Sequence, residues 1–241
     1  MSAAIATRTD ARRSSRTFAG LGAGRYGLKR IPYTSLGPLL RGCLSKSEDK
    51  KTLALVQQLR AARRRRYLTP GELEAVCRWK SARAIRHIRA NNPWSVRSAT
   101  RRALATRSER QRLKLLRTLQ GVSVPMASAI LTLLDPRRYG VIDIRVWQVL
   151  YKLGVVTQKP SGTGFTFNNW YRFLMIVRHF SRKFHVNARD IERTLFVVHR
   201  EYQKGRLYAL VGRRPSNKPL ERPGFAQTAS LINRSRKVVG S

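Results

Sequence analysis

Apolar residues recur at intervals of three and four along most of this chain, which is the spacing of an amphipathic helix. In residues 50–66, for example, Leu53, Val56 and Leu59 fall on one side of a helix that ends in a run of arginines. Alternating patterns typical of strands are weak, and only residues 162–170 resemble one arm of a hairpin. The pattern predicts an all-α protein made of short helices.

Helix-start signals divide the middle of the chain into several such helices. Thr69 and Glu72 form a capping-box pattern with a proline between them. Further starts are predicted at Asn92, at Thr106 with Glu109, at Asn168 or Asn169, and at Asn187 with Asp190. We expect a compact helical bundle over residues 46–212, with a basic irregular arm at 1–45 and a basic tail rich in Pro and Arg at 213–241.

The charge of the chain is strongly positive, with 50 basic and 12 acidic residues and a net charge of +38. The excess is +13, +12 and +13 in the segments ending at residues 66, 154 and 241, so the predicted bundle is as basic as its ends. Such a charge repels itself unless a polyanion offsets it, and nucleic acid is the usual polyanion. No apolar run approaches the roughly 20 residues that span a bilayer, so we expect no membrane partner. A cationic surface without a polyanionic partner is the remaining alternative.

Cysteine and histidine usage argues against a metal site or a cofactor. Cys43 and Cys77 are too few for a four-cysteine zinc site or iron–sulfur cluster, and they suggest a reducing compartment. The histidines show no metal-ligand spacing: His87, His179, His185 and His199. The first 20 residues, rich in Arg, Ser and Ala, suit a mitochondrial transit peptide, although a basic arm that contacts phosphates is the favoured interpretation.

Residues 107–134 predict a helix, a tight turn and a second helix. The first helix, over 107–119, has an apolar side and a basic stripe formed by Arg107, Arg110, Lys114 and Arg117. The turn "GVSV" follows, and Pro125 is well suited to start the next helix. Such a turn directs backbone amides toward a helix N-terminus, where they can bind a phosphate without a side chain. An ordinary helical hairpin is the alternative.

Asp143 is an acid in an unexpected place. On a helix starting there, Asp143 and Trp147 lie on the apolar side, away from the polar face of Arg145, Gln148 and Lys152. An acid at that position costs stability unless it caps the helix or takes part in chemistry. A carboxylate at a helix start stays ionised and can face a developing cation.

The segments "LQGVS" at 119–123 and "VIDIRV" at 141–146, with Asp143 placed 18 residues after Pro125, resemble the helix-hairpin-helix superfamily of DNA base-excision glycosylases. The resemblance covers roughly residues 105–155. It implies that the amides around Gly121, Val122 and Ser123 hold a DNA phosphate. It also implies that Asp143 is the catalytic carboxylate.

The chain departs from that family pattern at three points. Ser123 stands in place of the second hairpin glycine. Val124, Pro125 and Met126 occupy the region where members that also cleave the DNA backbone carry a lysine. The four-cysteine cluster of one branch is absent. The resemblance therefore implies a monofunctional enzyme that leaves an intact abasic site, with no lyase activity through the hairpin position.

A glycosylase must extrude its base into a pocket, and such pockets are lined by aromatic rings. The candidates, each also a candidate core residue, are Trp79, Trp94, Tyr139 and Trp147. Two arginines before Asp143 are candidate phosphate contacts or simply a solvated helix end: Arg137 and Arg138.

The sequence therefore predicts a protein that binds double-stranded DNA and resembles a monofunctional DNA glycosylase. The main alternative is a non-catalytic, sequence-independent DNA-binding module, because fold similarity does not establish chemistry. An RNA-associated basic protein is a third alternative. The expected location is the cytoplasm or nucleoid, or another reducing compartment that contains DNA, with mitochondrial targeting as an alternative.

Overall fold

The computed structural model describes residues 27–204 and 207, and the predicted all-α architecture is confirmed there. Its helices are α1 Leu36–Cys43, α2 Lys50–Gln58, α3 Arg60–Arg65, α4 Pro70–Ser81, α5 Ile85–Arg89, α6 Pro93–Ala105, α7 Glu109–Leu116, α8 Val124–Leu134, α9 Ile144–Lys152, α10 Phe167–Phe184 and α11 Ala188–Tyr202. A 3-10 helix, Ala82–Ala84, joins α4 to α5. Two short antiparallel strands, β1 Gly27–Leu28 and β2 Gln203–Lys204, pair with each other. The predicted tail, and the arm as far as residue 26, lie outside the described residues.

Helix α8 lies at the centre of the bundle. It is apolar on all sides, and all of its residues except Pro125 are buried. It packs against α4, α7 and α10, and also against α2 and α3. A helix of 11 residues that is hydrophobic all round is too short to span a bilayer and is stable only inside a protein, so the position of α8 follows from its sequence.

The predicted irregular arm contains a helix, and the prediction is wrong for residues 36–43. Helix α1 packs on α11 and buries Leu36, Leu39 and Leu40. Its sequence includes two glycines and a proline, which weaken a helix considered alone. Burial of the three leucines against α11 offsets that low intrinsic propensity.

Several predicted helix boundaries also differ from the structure. The arginine-rich segment 50–66 is broken at Leu59 into α2 and α3. Ser108, and not Thr106, caps α7, because Thr106 ends the preceding helix α6. Helix α10 begins two or three residues earlier than expected, at a capping box formed by Thr166 with Asn169. The starts at Thr69, Asn92 and Asn187 are confirmed.

Candidate functional site

The turn between α7 and α8, residues 117–123, requires a glycine at its centre. Gly121 has a φ of +78°, a conformation that side chains disfavour. A Cβ atom at this position would also lie 2.9 Å from the Cβ of His87 and 3.2 Å from the backbone N of Ile88. The turn therefore rests directly on α5, and both the backbone conformation and the close packing exclude larger residues.

Asn91 fixes the turn to the end of α5. Its Nδ2 donates to the carbonyl oxygens of His87, Ile88 and Gln120 at 3.1, 2.9 and 3.0 Å. Its Oδ1 accepts from the backbone N–H of Gln120 at 2.8 Å. Sequence reasoning missed this residue, because its main partner lies 29 positions away and an asparagine after a helix is common.

The amides of the turn differ in their partners. Val122 donates to the carbonyl of Leu119 at 3.2 Å, so its amide already has a hydrogen-bond partner in this structure. No residue in the described part of the chain accepts a hydrogen bond from the amides of Gly121, Ser123 or Val124. Ser123 is exposed and caps α8 with its side chain. Its replacement of a glycine is therefore compatible with the turn.

The side chains of the predicted basic stripe are all exposed, although only Arg110 and Lys114 lie within α7: Arg107, Arg110, Lys114 and Arg117. Arg110 places its guanidinium 4.1 Å from the centre of the Phe167 ring. Lys114 lies in the last turn of α7 and Arg117 begins the turn between the helices, and no carboxylate of the described residues pairs with either. These two cations and the turn amides together form a positively charged surface.

Arg137 and Arg138 do not join that surface. They follow the C-terminus of α8, whose 11 residues separate them from the turn by about 16 Å along the helix axis. Arg138 contacts Glu109 at 3.5 Å, and Arg137 lines a separate groove with Lys46 and Arg182. These two arginines therefore remain candidate phosphate contacts or a solvated helix end, and any phosphate that they contact is not the one at the turn.

Two aromatic residues predicted to line a base pocket belong to the core instead. Tyr139 is 3 % exposed, and its hydroxyl donates to Glu109 at 3.0 Å. Trp147 is 1 % exposed, and its Nε1 donates to the carbonyl of Gln158 at 3.0 Å. Neither ring is open to a base in this structure, because both are packed on all sides.

The other two candidates retain some access to solvent. Trp79 is half-buried, and its Nε1 donates to the Thr52 hydroxyl at 2.8 Å. The guanidinium of Arg189 lies 5.4 Å from the Trp79 ring centre. Trp94, in the first turn of α6, is 75 % exposed.

Asp143 is the N-cap of α9 and one half of an ion pair. Its Oδ1 accepts from the backbone N–H of Val146 at 3.0 Å, which is the capping role expected as an alternative. Its Oδ2 accepts from Lys80 Nζ at 3.1 Å, and each of the two side chains is 17 % exposed. Sequence reasoning missed Lys80, which lies 63 positions away in the last turn of α4.

The backbone next to Asp143 is tied to the start of α8. Ser128 Oγ accepts from the Ile142 N–H at 3.1 Å and donates to the Pro125 carbonyl at 2.8 Å. On the other side, Lys80 is four residues from Ala84, a distance of at most about 14 Å along the chain. The Ala84 carbonyl in turn lies against Gly121. Asp143 and the turn are therefore held near each other from two directions.

Two buried ionisable side chains of α11 are electrostatically coupled to Asp143. Burial raises the pKa of Glu192, Arg189 opposes this, and the negative charge of Asp143 adds to the rise. Burial and then the charge of Arg145 lower the pKa of His199 to about 4, while Asp143 acts in the opposite direction. Asp143 thus lies in a polar cluster that joins α4, α9 and α11.

Comparison with known proteins gives no match to this chain, whether among family models, curated proteins or solved structures. None of the described helices is long and apolar enough to cross a membrane. The described residues include no group of three or more potential ligands that could hold a metal ion.

Proposed function

We propose that this protein binds double-stranded DNA through the turn between α7 and α8 and hydrolyses the N-glycosidic bond of an extruded base at Asp143. The observation that carries the proposal is the link from Ile142 through Ser128 to the first turn of α8. It ties the backbone beside Asp143 to the same helix whose N-terminus presents the unpaired amides.

The phosphate contact would come from the turn and its basic neighbours. The amides of Gly121 and Ser123 offer hydrogen-bond donors at the positive end of the α8 dipole. Lys114 and Arg117 add positive charge beside them. This grip is independent of sequence, since phosphates carry no base identity. It supplies binding energy to offset base extrusion, which costs a few kcal/mol.

Asp143 would stabilise the reacting sugar. As the N-glycosidic bond breaks, its electron pair leaves with the base, which takes up a proton from water. The sugar develops positive charge, and a fixed carboxylate lowers the energy of that state. The same carboxylate can orient water or take a proton from it as the water adds to the sugar. The Val146 amide holds Oδ1 in place, so Oδ2 is the oxygen that would face the sugar once Lys80 shifts aside.

A non-catalytic DNA-binding module is the second candidate, and a specific observation favours it. Both oxygens of Asp143 are already engaged, by Val146 and by Lys80. The burial of Tyr139 and Trp147 also removes two of the expected pocket walls. In this alternative Asp143 stabilises the start of α9 and the turn alone binds DNA.

Base release from duplexes that carry a panel of damaged, modified or mismatched bases separates the two candidates. Asp143→Asn keeps an oxygen that can cap α9 but removes the negative charge. Asp190→Asn is the matched control, because Asp190 also serves a helix start, that of α11. Excision that is lost in Asp143→Asn, retained in Asp190→Asn and accompanied by unchanged DNA affinity supports catalysis. Binding without excision of any base would leave the non-catalytic module.

The same reactions should be scored for strand cleavage as well as base release. We expect an intact abasic site, since no lysine occupies the hairpin position. Lys80 nevertheless brings an amine next to Asp143. Borohydride trapping, compared between the native protein and Lys80→Gln, shows whether that amine forms a covalent adduct. A trapped adduct that disappears in Lys80→Gln would contradict the expected product.

A further inference from the structure

Trp94 is an unusual side chain on this surface. It is 75 % exposed, whereas Trp147 and Trp170 are at most 1 % exposed and Trp79 is half-buried. Tryptophan is among the largest apolar side chains and is strongly buried on average in folded proteins. Its exposure is not explained by packing within the described residues.

Trp94 shares the outer face of α6 with two arginines. The inner face of this helix buries Val96, Ala99, Thr100 and Ala103. Arg97 and Arg101 follow Trp94 at spacings of three and seven residues, which places all three on the opposite side. Arg101 stacks its guanidinium 4.7 Å from the Tyr67 ring centre. The outer face of α6 thus carries one exposed aromatic ring and two arginines.

The beginning of this face lies near the turn between α7 and α8. Asn91, three residues before Trp94, binds both the N–H and the carbonyl of Gln120 in that turn. Three residues span at most about 11 Å, so the Trp94 backbone lies within that distance of the turn's anchor. The Trp94 backbone would therefore lie close to a strand whose phosphate is held at Gly121 and Ser123.

We propose that Trp94 is a stacking platform for an unpaired nucleobase of the DNA strand held at the turn, and that it gives the protein a preference for DNA with unpaired bases. The proposal rests on the DNA binding proposed above. A nucleobase is favoured over a protein partner because Trp94 is a single ring in cationic surroundings and not part of a broad apolar patch. Aromatic rings next to a basic groove are the usual means of holding single-stranded bases.

The test compares the affinities of three labelled DNAs by fluorescence anisotropy at one salt concentration. They are a continuous duplex, the same duplex with an unpaired base, and the single strand. Trp94→Ala should weaken binding of the two DNAs with unpaired bases at least about fivefold and leave duplex binding unchanged. Trp94→Phe keeps an aromatic ring, so it should lose less affinity for these two DNAs than Trp94→Ala. Tyr151→Ala is the matched control, because Tyr151 is an exposed aromatic residue near the end of α9, and it should leave the binding of all three DNAs unchanged.

Two other outcomes would overturn the proposal in distinguishable ways. If Trp94→Ala binds each of the three DNAs with the same affinity as the native protein, the stacking contact is wrong while DNA binding stands. This is also the outcome expected if Trp94 docks a protein. If the native protein binds none of the three DNAs, the proposed function fails and the stacking contact fails with it.

Discussion

At the scale of single residues, the hydrogen-bond partners of the buried His199 fix the protonation state of its ring. Its Nε2–H donates to Gln148 Oε1 at 2.7 Å, and its Nδ1 accepts from Arg145 Nη1 at 3.2 Å. Only a neutral ring offers one donor and one acceptor. A second proton on Nδ1 would face the Arg145 guanidinium, so burial and this charge lower the pKa to about 4.

We expect this histidine to make the fold sensitive to mild acid. The unfolded chain takes up a proton on His199 near its ordinary pKa of 6.5, whereas the folded chain resists it down to about pH 4. The neutral His199 therefore leaves the free energy of unfolding undiminished above pH 6.5. As the pH drops toward 4, its titration lowers that free energy by about 3 kcal/mol. Urea unfolding across this range measures the loss.

His199→Gln is the informative comparison for that titration. A glutamine retains hydrogen-bonding capacity toward Gln148 but does not titrate. The His199→Gln variant should have a lower free energy of unfolding than the native protein at neutral pH. Between pH 6.5 and 4, this free energy should change less in the variant than in the native protein. An identical pH dependence in the two proteins would show that other groups carry the acid sensitivity.

At the level of elements, the turn between α7 and α8 depends on Gly121 for two separate reasons. Its positive φ costs a side chain about 1–2 kcal/mol, and contact with α5 adds about 1–3 kcal/mol. Gly121→Ala should therefore lower the free energy of unfolding by about 2–5 kcal/mol, the sum of these two costs. DNA affinity should fall as well, because the amides move with the turn.

Gly154→Ala separates these two costs. Gly154 also has a positive φ, +68°, but a Cβ atom there would meet no atom within 4 Å. This variant should show the backbone cost alone and bind DNA normally. Equal destabilisation in both variants, measured by urea unfolding, would mean that the contact with His87 and Ile88 relaxes at little cost.

The local features of these elements could be predicted from sequence, and their long-range anchors could not. Gly121, Pro125 and Asp143 carry signals that depend only on neighbouring residues, and the turn and the cap lie where those signals place them. Asn91 and Lys80 reach their partners across 29 and 63 positions. No local pattern encodes such a contact, because it exists only once the helices have packed.

Burial was the other property that a single helix pattern could not settle. Trp147 and Trp94 are both named from the sequence as candidates for a base pocket or for the core, yet Trp147 is buried in the core and Trp94 faces solvent. Helix α1 was missed for the same reason, since its leucines gain their stability from α11. In both cases the outcome depends on which surfaces the bundle covers.

For the molecule as a whole, the few acidic side chains mostly make hydrogen bonds and ion pairs within the protein. Most carboxylates of the described residues cap helices or pair with basic side chains: Glu48, Asp49, Glu72, Glu74, Glu109, Asp143, Asp190 and Glu192. Glu109 is the clearest case. Burial acts to raise its pKa, but hydrogen bonds from Arg178 and Arg112 outweigh burial and lower the pKa below its usual value.

Most of the remaining cations in the described part of the chain therefore lack an internal carboxylate partner. Which of them contact DNA can be tested by measuring how DNA affinity depends on salt concentration. Each phosphate contact contributes about 0.9 to the slope of log affinity against log salt on duplex DNA. Lys114→Ala with Arg117→Ala removes two cations beside the turn, and the slope should fall by about 2 if both contact phosphates. Titrations of one duplex at several salt concentrations give this number.

Arg182→Ala with Lys183→Ala removes the same charge at the end of α10, where Arg182 lines the groove that also contains Arg137. If DNA lies on the turn, this control lowers affinity slightly through the net charge and leaves the slope nearly unchanged. Equal changes of slope in the two double variants would mean that DNA binds the whole basic surface without preference. The positive charge would then attract DNA without positioning it, and Asp143 would have no fixed strand to act on.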